Sequence, residues 1–251
     1  MTTTTYPQLW AAVLAARRAG EELQSSSLSS DQFRYKNNGD IVTKTDERVE
    51  EVILEELLYQ FPDHNVVSRW IIDPIDGTTN FLNGIPHYSV SIAFEGVSAT
   101  DIGIVYHVPS ETMFTAIEDG GAYANGHPIS LSSATDLSNT LVVTGFDTAS
   151  MQAPEYNKFL TLLEVTQGIR RFGSAAGELA MVAAGQFDAF FERKLSVWDT
   201  AAGVMLVEEA GGQVTRIKAL DGNNSEMVLA SNEAVHQKLV TLLSSGVDPT
   251  K

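Results

Sequence analysis

An apolar run, Trp70-Ile71-Ile72, ends on two carboxylates three residues apart, Asp73 and Asp76, and the chain then turns at Gly77-Thr78-Thr79-Asn80. Such a run reads as a buried strand, here Val66 to Ile72, that delivers both acids to one end of a sheet. Pro74 fixes its own φ and removes one backbone donor, so the turn is stiff. Buried carboxylates are costly unless paired or bound to a cation, and no Lys or Arg stands within the turn. A hard divalent cation with oxygen ligands is the natural partner, with the main-chain carbonyl of Ile75 as a further ligand. Gly77, Thr78 and Thr79 offer backbone N–H groups beside those acids, and a helix starting there would hold an anion. The same spacing also suits an Asx-turn pair that only caps a loop, so the motif by itself leaves both readings open.

The rest of the chain frames this strand. Tyr6 to about Ser25 and Thr45 to Phe61 carry apolar positions at helical spacing, Leu9, Val13, Ala16 and Leu23 in the first and Val49, Ile53 and Leu57 in the second. Phe33 to Val42 reads as a short hairpin turning at Asn37-Asn38-Gly39-Asp40. Ser89–Phe94, Asp101–His107 and Thr112–Ile117 are β-rich, with tight turns at Gly120-Gly121 and Asn125-Gly126. Beyond about Ser138 strands and helices alternate: strands Leu141–Thr144, Ile169–Phe172 and Phe187–Glu192, helices Glu155–Val165, Ala175–Ala184 and Trp198–Ala210. Strands near Gln213 and Met227 and a helix from Glu233 to Leu243 complete it. A front half of antiparallel hairpins and a back half of alternating β and α give a mixed α+β and α/β chain. The expected organisation is two packed subdomains, 1–138 and 139–251, with a site between them.

A second constellation is Val197-Trp198-Asp199-Thr200-Ala201-Ala202-Gly203. Asp199 falls at a helix start, and the small residues after it let another backbone or a ligand approach closely. Read alone, Asp199 is a first-turn acid that stabilises its helix. Glu192, seven residues earlier, closes a strand and reads alone as a surface acid.

Composition narrows the function. A net charge of −16 argues against nucleic acid or an anionic membrane as the main partner. With no cysteine, disulfides, thiolate metal sites and a Cys nucleophile are excluded. The N-terminal Met-Thr-Thr-Thr-Thr-Tyr-Pro has neither the basic nor the apolar region of a secretory signal, so the expected location is cytoplasmic. Histidines 64, 87, 107, 127 and 236 have no zinc-site spacing and read as loop or turn residues.

Asp73-Pro74-Ile75-Asp76-Gly77-Thr78-Thr79-Asn80-Phe81 and Trp198-Asp199-Thr200-Ala201-Ala202-Gly203 together resemble the inositol monophosphatase family of magnesium-dependent, lithium-sensitive phosphatases. Asp40 to Asp46, Phe172-Gly173-Ser174-Ala175-Ala176 and Glu208 to Gly212 support the resemblance, which runs from about residue 6 to 240. It implies a layered αβαβα sandwich, a homodimer, and hydrolysis of a small-molecule phosphate monoester with up to three Mg²⁺. It implies that Asp73, the Ile75 carbonyl, Asp76 and Asp199 bind metal. By the same likeness Thr78 and Asp46 orient the attacking water, Gly77 and Thr78 supply backbone donors to phosphate, Glu192 contacts substrate hydroxyls, and Ala176 lines the pocket. Lys36 falls where relatives often place a lysine on the phosphate side, and Arg170 and Arg171 are candidates for a subunit contact. The chemistry is consistent: divalent cations would neutralise the phosphate and acidify the attacking water, and no covalent intermediate is needed. Inositol 1-phosphate is the expected substrate, with fructose 1,6-bisphosphate and histidinol phosphate as alternatives on the same fold.

One feature departs from the family pattern. Relatives carry a Glu-Glu pair in a loop just before the Asp-Pro-Ile-Asp strand, and one of those glutamates binds metal. Here Ser68 runs directly into Arg69-Trp70, with no glutamate between. A true deletion would motivate a non-catalytic relative that binds phosphate esters or a partner.

Overall fold

The computed structural model describes residues 6–26, 33–35, 41–62, 68–96, 100–146, 153–218 and 226–244. The expected turn at 37–40, Lys36, His64 and the start of the strand at Val66 lie outside them.

The elements in chain order are helix α1 (Pro7–Ser25), strands β1 (Phe33–Tyr35) and β2 (Ile41–Thr43), helix α2 (Lys44–Gln60), strand β3 (Arg69–Asp76) and helix α3 (Thr78–Leu82). Strands β4 (Ser89–Glu95), β5 (Thr100–His107), β6 (Thr112–Ile117), β7 (Gly121–Ala124), β8 (His127–Pro128) and β9 (Leu141–Thr144) follow. The remainder comprises α4 (Ala153–Val165), β10 (Gly168–Arg170), α5 (Ala175–Ala183), β11 (Ala189–Arg193), α6 (Val197–Glu209), β12 (Gln213–Lys218), β13 (Glu226–Ser231) and α7 (Glu233–Ser244). β3 to β8 form a six-stranded sheet in sequence order, antiparallel throughout. The second sheet has the order β10-β9-β11-β13-β12, with β9 parallel to β10 and β11 and the other pairs antiparallel.

Three apolar clusters stack these parts into α, β, α, β, α layers. α1 and α2 cover one face of the first sheet, burying Ala11, Ala15, Ala19, Val49, Ile53 and Leu57 against Val90, Ile92 and Phe94. The opposite face of the same strand turns Ser89, Ser91 and Ala93 toward the middle layer, where α5 and α6 lie between the two sheets. β4 is therefore covered on both faces, which explains why it is buried at every position from Ser89 to Phe94. α4 and α7 close the outer face of the second sheet through Leu162, Leu239 and Leu243. Burying one such Leu or Ile contributes about 1.5–3 kcal/mol. This is the layered sandwich that the motifs implied.

Local sequence sets each element. Pro7 stands in the first turn of α1, where its missing N–H costs nothing. Thr43 and Asp46 form a reciprocal capping box that starts α2. The small residues in α6 admit another helix: a Cβ on Gly203 would strike Leu179 of α5. On the sheet side, a Cβ on Gly103 of β5 would strike the Ala202 carbonyl and Met205.

Several expectations need correction. β3 does not stop at Ile72 but continues through Asp76, with an irregular step between Asp73 and Asp76. Pro74 cannot donate to the ladder, and the strand passes it by this break in register. His107 ends β5 and is buried, and His236 lies in α7, buried between Thr215 and Ser231 hydroxyls. Neither is a loop residue; each imidazole satisfies its polar atoms inside the fold. His87 is buried too, with its Nδ1 3.3 Å from His107 Nε2. Among the described residues no helix is long and apolar enough to cross a membrane.

Candidate active site

The end of β3 meets the start of α5. Asp76 is buried, and its two oxygens accept four hydrogen bonds from that helix start. Ala175 N–H donates to Oδ1 at 3.0 Å; Ala176 and Gly177 N–H donate to Oδ2 at 2.9 and 3.2 Å, and the Ser174 hydroxyl donates to Oδ2 as well. The first backbone N–H groups of a helix have no partner within it, and a carboxylate at that end also suits the helix dipole. Burial raises the carboxyl of Asp76, and these four donors pull it back down.

Asp73 differs. Its Oδ1 accepts the Ile75 N–H at 3.1 Å, the Asx turn that its spacing suggested. Burial holds its carboxyl well above the usual range, and Asp76, Asp199 and Asp46 push it further. Like charges gathered in a low-dielectric site resist ionisation together.

The two outer acids reach this point from helix starts. Asp46 Oδ2 accepts the Thr43 N–H at 2.8 Å and the Thr43 hydroxyl, while Oδ1 faces the Thr78 hydroxyl at 3.3 Å. Burial raises the Asp46 carboxyl. Asp199 Oδ2 accepts the Ser196 N–H at 2.6 Å, completing a capping box with Ser196. Asp199 is thus the first-turn acid of its helix, and its charge also acts on Asp73. The capping role and proximity to the other acids coexist in one residue, as they do in Asp46.

Gly77 joins β3 to α3 with φ +93°, a left-handed conformation that favours glycine. A Cβ there would also press on the His87 and Gly173 carbonyls and on Ser174. The Thr78 hydroxyl donates to the Ile75 carbonyl at 2.8 Å, so Asp46, Ile75 and Thr78 form one connected group. Asn80 Nδ2 donates to both the His87 and Phe172 carbonyls, at 2.8 and 2.6 Å, tying α3 to the loop before α5.

Glu192 sits farther along the same wall. Burial holds its carboxyl well above the usual carboxylate range; Glu178, Asp76 and Asp199 raise it further, and Arg171 lowers it. Glu178, which sequence reasoning missed, is fully buried in the first turn of α5. Its Oε1 accepts the Phe172 and Gly173 N–H groups at 2.9 and 2.8 Å, and burial pushes its carboxyl up to about 8. A lone charge in the apolar stretch Ala175 to Ala184 was the signal available for it. Ser174 was also missed; only its place in the Gly-Ser-Ala-Ala turn hinted at it. Ala176 is buried and presents its N–H to Asp76. Arg171 Nη2 donates to the Phe146 carbonyl at 3.1 Å, and its guanidinium stands 4.7 Å from the Phe146 ring centre.

The donors gathered here are oxygens, and the charges that most raise Asp73 are other acids. A hard divalent cation would reverse that balance, so the donor set fits one. Among the described residues no three acidic, histidine or cysteine side chains already enclose an ion position. Asp76 turns both oxygens to α5, so an ion here would draw its donors from Asp73, Asp199, the Ile75 carbonyl and an oxygen shared by Asp76.

A layered αβ sandwich with clustered acids where a strand end meets helix starts places the chain among the phosphatases. The chain belongs to the inositol monophosphatase family, whose model matches residues 7–247. It is 35% identical over 246 residues to "Nus factor SuhB" of Pasteurella multocida, covering 91% of this chain and 90% of that protein. It is 37% identical over 252 residues to "Inositol-1-monophosphatase" of Synechocystis, covering 93% of this chain and 86% of the relative. The crystal structure of the extragenic suppressor protein suhB from Bartonella henselae superposes with a TM-score of 0.88 at 34% identity, covering 94% of this chain and 98% of the other. The protein is a phosphoric monoester hydrolase, and its family is generally metal-dependent.

Proposed function

We propose that the protein hydrolyses a phosphate monoester of a polyol or sugar with Mg²⁺, and that inositol 1-phosphate is its substrate. One observation carries this reading. Asp73, Ile75, Thr78 and Asp46 are joined by hydrogen bonds through one turn beside Asp76, and the Asp73 carboxyl, raised first by burial and then by Asp76, Asp199 and Asp46, would be relieved by a cation. Asp73, the Ile75 carbonyl, Asp76 and Asp199 would hold up to three Mg²⁺. Bound there, the metal supplies neutralisation of phosphate charge and activation of water.

The chain's own groups do the rest. Asp46 and the Ile75 carbonyl fix the Thr78 hydroxyl, whose free lone pair can accept a hydrogen bond from the attacking water, and the neighbouring Asp46 carboxylate is the group that would take the proton the water releases. Backbone N–H groups of Gly77 and Thr78, at the turn into α3, orient the phosphate. Glu192 accepts a hydrogen bond from a substrate hydroxyl, and Ala176 keeps the pocket floor small. The catalytic residues in this reading are Asp46, Thr78, Asp73 and Asp76. The two halves, 1–138 and 139–251, act as subdomains that meet at Asp76, in a cytoplasmic homodimer sensitive to lithium. Fructose 1,6-bisphosphate and histidinol phosphate are the alternative substrates.

A second reading follows from the segment missing between Ser68 and Arg69: a phosphate-ester-binding protein without turnover. The retained group Asp46, Asp73, Asp76, Thr78, Glu192 and Asp199 favours the enzyme. A Nus factor role, as in the name of the Pasteurella relative, would be a separate property, and a net charge of −16 disfavours direct contact with nucleic acid. A panel of inositol, fructose and histidinol phosphates assayed for phosphate release in millimolar Mg²⁺ tests the proposal. Release from none of them, with binding still seen by calorimetry, would favour the second reading.

A further inference from the structure

β9 and β11 run parallel in the second sheet, with Val142, Val143 and Thr144 beside Ala189, Phe190 and Phe191. One step beyond that ladder, Gly145 and Glu192 stand next to each other. The Thr144 hydroxyl donates to the Phe191 carbonyl and fixes the two strand ends together at this point. A Cβ placed on Gly145 would meet Glu192 first. Its three nearest atoms are both carboxylate oxygens and the carboxyl carbon, all well inside any real contact distance. The carboxylate therefore lies flat against the Gly145 Cα, in a space that exists because residue 145 has no side chain. The neighbouring residue fixes the other border: Phe146 carries Arg171 through its carbonyl and its ring. Glu192 is thus within reach of both the Arg171 charge and the charges of Glu178, Asp76 and Asp199.

We infer that Gly145 is a specificity-positioning residue: it provides the floor on which Glu192 presents its carboxylate to a hydroxyl of the substrate. The inference rests on the reading of Glu192 as the hydroxyl acceptor. Two features separate position from fold. Gly145 is not among the residues with positive φ, so alanine can adopt its backbone conformation. The three atoms an added methyl would meet first all belong to the end of a flexible side chain, so the change should move Glu192 more than it disturbs the core.

The test compares two substrates on the Mg²⁺-loaded enzyme: inositol 1-phosphate, which offers ring hydroxyls, and p-nitrophenyl phosphate, which offers none. Gly145→Ala should raise KM for inositol 1-phosphate about tenfold, the worth of one hydrogen bond to a charged group. kcat should hold, and the ratio of kcat/KM between the two substrates should fall accordingly. Glu192→Ala should show the same selective loss. The double variant should be no worse than Glu192→Ala and should melt at the same temperature, because the collision partner is gone. Equal loss on both substrates by Gly145→Ala, or additive losses in the double variant, overturns the role of Gly145. A selective Glu192→Ala beside an unaffected Gly145→Ala overturns it too, leaving the reading of Glu192 intact. If Glu192→Ala itself fails to discriminate the two substrates, the reading of Glu192 as hydroxyl acceptor fails instead.

Discussion

The Ala176 N–H donates to Asp76 Oδ2 at 2.9 Å, joining the end of β3 in one sheet to the first turn of the helix packed between both sheets. Three more donors, from Ser174, Ala175 and Gly177, converge on the same carboxylate. Asp76 is thereby a structural junction between the layers as well as a member of the acid cluster. Asp76→Asn should reduce turnover by about 10²–10³-fold, since an amide is a weak ligand for a hard cation. Asp76→Ala should in addition destabilise the fold, because each buried donor left without a partner costs about 1–3 kcal/mol. Steady-state kinetics and urea unfolding of the two variants distinguish these effects.

Thr78 offers a cleaner separation. Its hydroxyl joins Asp46 to the Ile75 carbonyl, while its side chain carries little of the core. Thr78→Val preserves shape and removes the hydroxyl. kcat should fall by about 10²-fold, within the range for a lost proton-handling group, and the melting temperature should hardly move. A large loss of stability with unchanged kcat would assign Thr78 a packing role instead.

Stability should depend on pH through Glu178. Its carboxyl titrates near 8 in the folded protein, against an ordinary 4.5, mainly because of burial. Between those values the folded state holds a proton that the unfolded state has lost, so this contribution to stability is full below 4.5 and disappears as pH rises through 8. Glu178→Gln keeps an acceptor for the Phe172 and Gly173 N–H groups and abolishes the titration. The variant should gain on the wild type as pH increases from 6 to 9, by about 5 °C in melting temperature at the upper end. Parallel melting curves across that range would contradict the assignment.

The middle layer makes a prediction about packing alone. A methyl on Gly203 would strike Leu179 Cβ and Cδ1, both on a buried side chain of α5. Overpacking of this kind costs about 1–3 kcal/mol. Gly203→Ala should show that loss in denaturant unfolding, with KM unchanged if α6 keeps its register.

The fold was largely visible in the sequence because its elements have strong local signals. Val49, Ile53 and Leu57 share a stripe at helical spacing, and Thr43 with Asp46 marks the helix start before it. The layers themselves follow from β4, whose alternate residues face different helices. The acid pair in β3 and Asp199 in α6 were legible as motifs. What stayed hidden depended on contacts between distant segments. Ser174 and Glu178 acquire meaning only when α5 is laid against Asp76 and the Phe172 loop. His236 looked like a turn residue because a lone histidine carries no periodicity, and its partners Thr215 and Ser231 come from two separate strands. The continuation of β3 past Pro74 was hidden for the opposite reason: proline is a strong local breaker, and here the sheet accommodates it with an irregular step.

Metal dependence is the central claim, and phosphate release from inositol 1-phosphate by wild type and Asp73→Asn measures it most directly. Wild type should turn over in millimolar Mg²⁺, stop when EDTA removes the metal, and recover when Mg²⁺ is restored, while Asp73→Asn stays inactive throughout. Turnover that continues undiminished in EDTA, or an Asp73→Asn variant as active as wild type, would contradict it.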